Sequence, residues 1–429
     1  MAIEIDGILE QNDTLRLTKD VSLKNLPLNL SEYSKLDLCG FTLTSADHQY
    51  AIEIFHNKVT ICNGKIRGYK GISVDEVSDL YLNSVDIEVA SRALGVYDGS
   101  IVSISKDSVV HTTDSDCTIL VLGDKDLGKI KSIRESSLII HGTVINDSET
   151  DISYAVSGNG LELTGVNITI TDTAKITAKY TAIFLSFTGK TIINGATISG
   201  ATAIGIKGGK LDIKNATIES FGEKKDFVEA TGFDPTGDAI AIASTNYPAG
   251  VPIVTLSNNN VISKNAKAVS TYMYNTEEAS RCEIKSGRFK PTLDNSENLF
   301  APYCVSLSSG DVCKIGIVSK KFYTKDEDAL DKSGTNSNLY VILNYNFIYK
   351  NKVISGKVDE YVQIISKLTV DEDSGLTVSG EVFPIQYKTF AEVFNLIKPS
   401  IMKNMASEIY KFDIKSYNSV FLSTVNKIK

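Results

Sequence analysis

From Ala51 the chain alternates apolar and polar residues in short runs, as in Ile52 and Ile54, then Val59 and Ile61, then Ile66. A period of two is that of a strand with one buried face, and helical spacing is absent from this region. The runs also recur. AIFLSFTGKTIINGATISG (182–200) is followed at once by ATAIGIKGGKLDIKNATIES (201–220), and related phrases start at Ala51, Gly71, Ala93, Tyr154, Ala239 and Ala268. Residues 51 and 71 lie 20 apart, 71 and 93 lie 22 apart, and Ala182 and Ala203 lie 21 apart. The longer steps, 36 residues from Ala203 to Ala239 and 29 from Ala239 to Ala268, read as coils that carry an insertion.

Three short strands per repeat, rich in Ile, Val and Thr, cannot close a core within one repeat. Stacked repeats can, if each strand pairs in parallel with its equivalents above and below. The pattern therefore predicts an all-β parallel solenoid. Asn63-Gly64, Asn83-Ser84, Asn194-Gly195, Lys214-Asn215 and Asn258-Asn259 fall at equivalent places between two strands. Asn and Gly tolerate the left-handed backbone of a sharp corner, and stacked Asn amides can bond from coil to coil. A structural role is expected for them.

Four regions follow along the chain. Residues 1–50 read as N-terminal capping coils, irregular until LDLCGFTL, because the first coil has an open end to cover. The β-helix proper is expected over 51–322, with an interruption at 112–135 and an inserted loop at 221–238, FGEKKDFVEATGFDPTGD. Residues 323–386 open with a polar linker and continue with strand pairs, NLYVILNYNFIYKNKVISGKV and YVQIISKLTVDEDSGLTVSGEV. Over 387–429 the period changes: Tyr387, Phe390, Val393, Phe394 and Ile397 share one face of a helix, continued after Pro399 by Ile401, Met402, Met405 and Ile409. That stripe suits packing on its own domain or self-association.

Composition narrows the class. With 429 residues, 42% hydrophobic and 22% charged, the chain is that of an ordered protein, and no apolar run is long enough to insert in a membrane. Residues 1–25 hold acidic residues and no apolar core segment, so a cleavable signal peptide is not expected. A net charge of −8 argues against nucleic acid as a partner. The six cysteines, at 39, 62, 117, 282, 304 and 313, form no CxxC pair, and Cys39 and Cys62 read as small buried residues of strand runs. The four histidines, at 48, 56, 111 and 141, have no metal-ligand spacing, so neither a metal nor a cofactor is expected.

Over roughly residues 1–320 the chain resembles the right-handed parallel β-helix proteins of the pectate-lyase-like group, which include polysaccharide lyases, polygalacturonases, adhesins, and bacteriophage tailspikes and fibres. The resemblance lies in pattern. It implies a right-handed single-stranded parallel β-helix followed by a small β-rich and helical C-terminal region. IDGILEQNDTLRLTKDVSL and CEIKSGRF look like stretches of phage β-helix proteins, with Gly-Arg-Phe standing where Gly-Thr-Phe is familiar. Of the paired-carboxylate motifs of polygalacturonase-like enzymes only His141-Gly142 is matched, and His141 reads as a strand or turn residue.

Loops that project from a rigid stack are where binding or catalysis is grafted. The acidic group Asp226, Glu229, Asp234 and Asp238 in the inserted loop supplies candidate catalytic carboxylates. Tyr272, Tyr274, Glu277, Glu278 and Arg281, in TYMYNTEEASR, supply candidate ligand-binding residues, since aromatic faces edged by carboxylates suit sugars. Solvated loops are the alternative for both. The leading expectation is a non-enzymatic bacteriophage virion structural protein, a head or tail fibre or decoration protein with an adhesive or glycan-binding role. Its expected partners are itself as a homotrimer, other virion proteins and a host surface glycan. The alternatives are a carbohydrate-active enzyme, either a tailspike depolymerase or a polysaccharide lyase or hydrolase, and an exported adhesin.

Overall fold

The computed structural model describes residues 3–314 apart from 25, 115–116, 124–133, 151, 160–164, 229–231, 246–248, 275, 277, 295–298, 302–303 and 307–308, and then strands between Gly316 and Thr377. The helical stripe expected over 387–429 lies outside the described residues. All regular structure among the described residues is β. The chain divides into two units, the first Met1–Arg281 with Phe289–Pro291, the second Cys282–Arg288 with the described residues from Thr292 onward.

After an antiparallel N-terminal start, the first unit is built from three parallel ladders. In one of them Ile52 stands opposite Ile72, which is followed coil by coil by Leu94, Ile119, Val156, Ile183, Ile204, Ile240 and Val269. Each of these side chains is fully buried. A second ladder aligns Leu36, Ile61, Leu82, Ile104, Ile140, Ile170, Ile193, Ile213 and Leu256. The third aligns Leu43, Ile66, Ile87, Val110, Val144, Ile176, Ile198, Ile218 and Val261. This is the strand arrangement of a parallel all-β solenoid: Ile, Val and Leu repeat at one position per coil and bury against their equivalents. Fully burying one such side chain contributes about 1.5–3 kcal/mol.

The corners between the second and third ladders carry the left-handed residues the sequence marks. φ is positive at Asn63 (59), Ser84 (56), Gly195 (82), Asn215 (55) and Asn258 (54). Amides connect successive corners: Asn215 Nδ2 donates to Asn194 Oδ1 at 3.1 Å and Asn258 Nδ2 to Asn215 Oδ1 at 2.8 Å. At the first corner Asn63 Nδ2 donates to Asp37 Oδ1 at 3.2 Å. Asp37 also accepts from the Cys39 N–H at 3.1 Å and pairs with Lys35 at 3.3 Å.

Two details depart from the sequence reading. Cys39 is not a buried strand residue: it sits on this corner, exposed, with φ 50, because the strand ends at Asp37. Cys62, Cys117, Cys282 and Cys304 are buried. The stretch 112–135 is not only an interruption, for Cys117–Leu122 supplies a complete strand of the first ladder.

In the second unit Cys304–Ser306 pairs antiparallel with Asp311–Lys314. Gly316–Tyr323, Ser337–Tyr349 and Lys352–Ile364 form an antiparallel three-stranded sheet, with Tyr349 opposite Lys352. Thr369–Asp371 and Gly375–Thr377 form a further hairpin. KVISGKV and YVQI, read from the sequence as parts of two separate pairs, form one continuous strand, and the second phrase contributes the small hairpin.

Candidate functional site

The three ladders differ in their outer faces. Strands of the second and third ladders alternate buried and half-buried residues, as in Ser136–Ile140 and Lys175–Ala178. In the first ladder, Thr181–Ser186, Thr202–Ile206 and Ile240–Ser244 are buried at every position. Something must cover their outer side, and the described part of the loop 221–238 does so.

The outward column of this covered ladder runs Ser157, Phe184, Gly205, Ala241 and Ser270. Small residues flanking Phe184 leave room for loop rings. Phe233 of the loop lies directly on Gly205, where an added Cβ would stand 2.7 Å from the ring. From there the rings run in a row. Tyr154 stacks on Phe184 (4.9 Å between centroids), Phe184 meets Phe233 (6.0 Å), Phe233 meets Phe227 (5.9 Å), and Phe227 stacks on Tyr272 at 4.9 Å and 20°. Such pairs add about 0.5–1.5 kcal/mol each beyond the area they bury. Lys207 is fully buried beneath them, with Nζ 5.7 Å from the Phe227 centroid, a cation–π contact.

Hydrogen bonds pin the loop at its return. Phe233 N donates to the Tyr154 hydroxyl at 2.7 Å, and Thr202 Oγ1 accepts from Thr236 N (2.9 Å) and Gly237 N (3.1 Å). Asp238 is 2% exposed and anchors the end. Its Oδ2 accepts from Thr236 Oγ1 at 2.9 Å and from the Tyr272 hydroxyl at 2.5 Å, while Oδ1 accepts from Lys267 N at 3.0 Å. Burial first, and the hydrogen bond and charge of Asp238 after it, push the Tyr272 phenol above its ordinary range.

The two sequence-derived groups thus meet at one point, Asp238 with Tyr272. The other candidates have different surroundings. Asp226 is exposed beside Phe227, and Asp234 is half-buried beside Phe233. Tyr274 is 43% exposed and extends the ladder, its N–H bonded to Ser244 O at 2.9 Å. Residues two apart on extended chain face the same way, so Tyr274 follows Tyr272 on the outer side. Glu278 is exposed in a turn closed by Thr276 Oγ1, and Arg281 is an exposed strand residue. Glu229 and Glu277 lie outside the described residues. Phe227, Phe233, Tyr154, Phe184 and Lys207 escape a search for titratable clusters. Their signal is indirect: Gly205 stands where the preceding repeat has Phe184, and the inserted loop carries two phenylalanines to fill the gap.

Chemically, the arrangement presents a half-buried stacked pair, Phe227 and Tyr272, with Tyr274, Val228 and Met273 exposed nearby in sequence. Asp226, exposed, is the neighbour of Phe227 in sequence. Asp238 has its lone pairs engaged by loop and ladder donors, so it is a structural anchor. Among the described residues no group of three or more His, Cys, Asp or Glu is placed to hold a metal ion. His141 Nδ1 lies 2.8 Å from Thr171 Oγ1 just after a strand, the structural place its sequence context implies. Searched against known proteins, the chain matches no family model and no curated protein.

Proposed function

We propose that this chain is a right-handed, single-stranded parallel β-helix acting as a non-enzymatic, adhesive component of a bacteriophage particle, a head or tail fibre or decoration protein. It assembles as a homotrimer with other virion proteins and touches a host surface glycan through Phe227, Tyr272 and Tyr274. The observation that carries the glycan contact is the stacked Phe227–Tyr272 pair, half-exposed and fixed from below by Asp238. Pyranose rings bind to such platforms by apolar stacking, with hydroxyls bonding to nearby polar edges. A preset ring loses little conformational freedom on binding. The non-enzymatic reading is supported by the scatter of Asp226, Asp234 and Asp238 over exposed, half-buried and buried settings, since acid–base hydrolysis uses two carboxyl groups facing one bond. The virion assignment rests on the phage-like phrases and on the rigidity of a parallel stack.

The test uses the full chain on arrays of host capsular and cell-wall glycans, with light scattering for oligomeric state and mass spectrometry of purified particles. Expected are saturable glycan binding that Tyr272→Ala and Phe227→Ala weaken about tenfold or more, a trimer, and the chain in the particle. Release of reducing ends or unsaturated products would replace this reading with a depolymerase. Particles lacking the chain would remove the virion assignment.

A further inference from the structure

The first coil contains a second concavity, independent of the aromatic site. Ile3–Ile5 and Ile8–Gln11 form an antiparallel hairpin with Ile5 opposite Ile8. The turn between them is Asp6-Gly7, both at positive φ (51 and 92), the signature of a type I′ turn. Between this hairpin and the strands Val21–Leu23 and Leu28–Asn29 lies a cavity of about 540 Å³, within the size range of small-molecule sites.

Its floor is aliphatic: Leu15 and Val21 are buried, and Ile8, Leu23 and Leu28 are half-buried beside them. The polar lining is uneven in charge, with two carboxylates, Asp6 and Glu10, against the single ammonium of Lys24. Asp6 and Lys24 are both exposed to water, which screens them, whereas Glu10 is half-buried. Tyr33 stands next to Glu10, and its phenol is pushed up by burial first and by the charge and hydrogen bond of Glu10 next, with Glu32 adding to the negative field. Lys19 passes along Gly7 on the hairpin. Asn29 completes the lining, its Oδ1 accepting from the Ser31 N–H at 2.8 Å.

We propose that this cavity binds a small amphipathic cation, an apolar body bearing one protonated amine. The aliphatic floor removes the apolar body from water, and the ammonium keeps hydrogen-bond partners in Glu10 and Asp6. An anionic ligand of the same shape meets two carboxylates and is rejected by repulsion. A strongly hydrated inorganic cation finds no ring of oxygens over an aliphatic floor.

Calorimetric titration of the full chain with phenethylammonium, 2-phenylethanol and 3-phenylpropionate separates the terms, since the three share one apolar body. The expected order is saturable one-to-one binding of the amine, about tenfold weaker binding of the alcohol, and none of the carboxylate. Glu10→Gln is expected to weaken the amine several-fold, toward the alcohol's affinity, with an unchanged melting temperature. Leu28→Asp abolishes binding of the alcohol. Equal affinities for amine and alcohol, binding of the carboxylate, silence with all three probes, or an amine affinity indifferent to Glu10→Gln would each overturn the proposal. None of these outcomes bears on glycan binding at Tyr272.

Discussion

Tyr272 donates its hydroxyl hydrogen to the carboxylate of Asp238, 34 residues earlier in the chain, at 2.5 Å. One residue closes the inserted loop and the other belongs to the strand Val269–Met273, so a single bond ties the loop to the coil that follows it. Three donors converge on that carboxylate, two hydroxyls and one backbone N–H.

Asp238→Ala leaves those donors without their acceptor in a buried setting. The expected cost is about 3 kcal/mol in urea unfolding, with faster hydrogen exchange confined to residues 221–238 and their contacts. Unchanged exchange in the loop would refute the anchoring role.

Gly205→Ala places a methyl group against the Phe233 ring. A loss of about 1–3 kcal/mol is expected. In the background Phe233→Ala the same change becomes nearly neutral, so a double-mutant cycle reports a coupling of the same size. Additive costs would mean that the ring does not rest there.

Tyr272 holds its phenolic proton more tightly when folded than the ordinary value of 10.0. Its contribution to stability is therefore complete below pH 10 and is lost as pH rises through the folded value. The difference absorbance at 295 nm between the native chain and Tyr272→Phe should show one tyrosine ionising late. A tyrosine titrating near pH 10 in that difference would contradict the buried bond.

At the first corner the sign reverses. Burial opposes ionisation of Asp37, but bonds from the Cys39 N–H, the Asn63 amide and Lys35 outweigh it and hold the carboxyl below 3.8. That contribution is present above pH 3.8 and is lost as pH falls through the folded value. Asp37→Asn should flatten the acid limb of stability against pH. Parallel acid limbs for the two chains would count against it.

Asn215 has φ 55. Both Asn215→Gly and Asn215→Ala delete the amide bonds to Asn194 and Asn258, but only alanine also bears the left-handed backbone cost. Alanine should be less stable than glycine by about 1 kcal/mol. Equal midpoints in urea would mean the corner relaxes.

The column-forming isoleucines and the corners were legible in the sequence because each recurs at one position per coil, and recurrence is a signal of its own. Cys39 misled because LDLCGF reads as one strand, whereas the chain turns at Cys39-Gly40. Cys117–Leu122 was hidden by neighbouring insertions that shift the spacing. The aromatic row was illegible for a deeper reason. A loop ring and the glycine that receives it are joined only by the fold, as Phe233 and Gly205 are, and neither is periodic. The acidic residues were visible as a group, yet the sequence could not say that Asp238 faces inward while Asp226 meets solvent.

The double-sided burial of the Thr181–Ser186, Thr202–Ile206 and Ile240–Ser244 strands also limits how copies can lie side by side. Where the loop already occupies that flank, a neighbouring copy meets the loop's surface and never the sheet itself. Flat sheet-against-sheet contact is left to the second and third ladders. Lateral growth through the guarded flank would first require that loop to be peeled away.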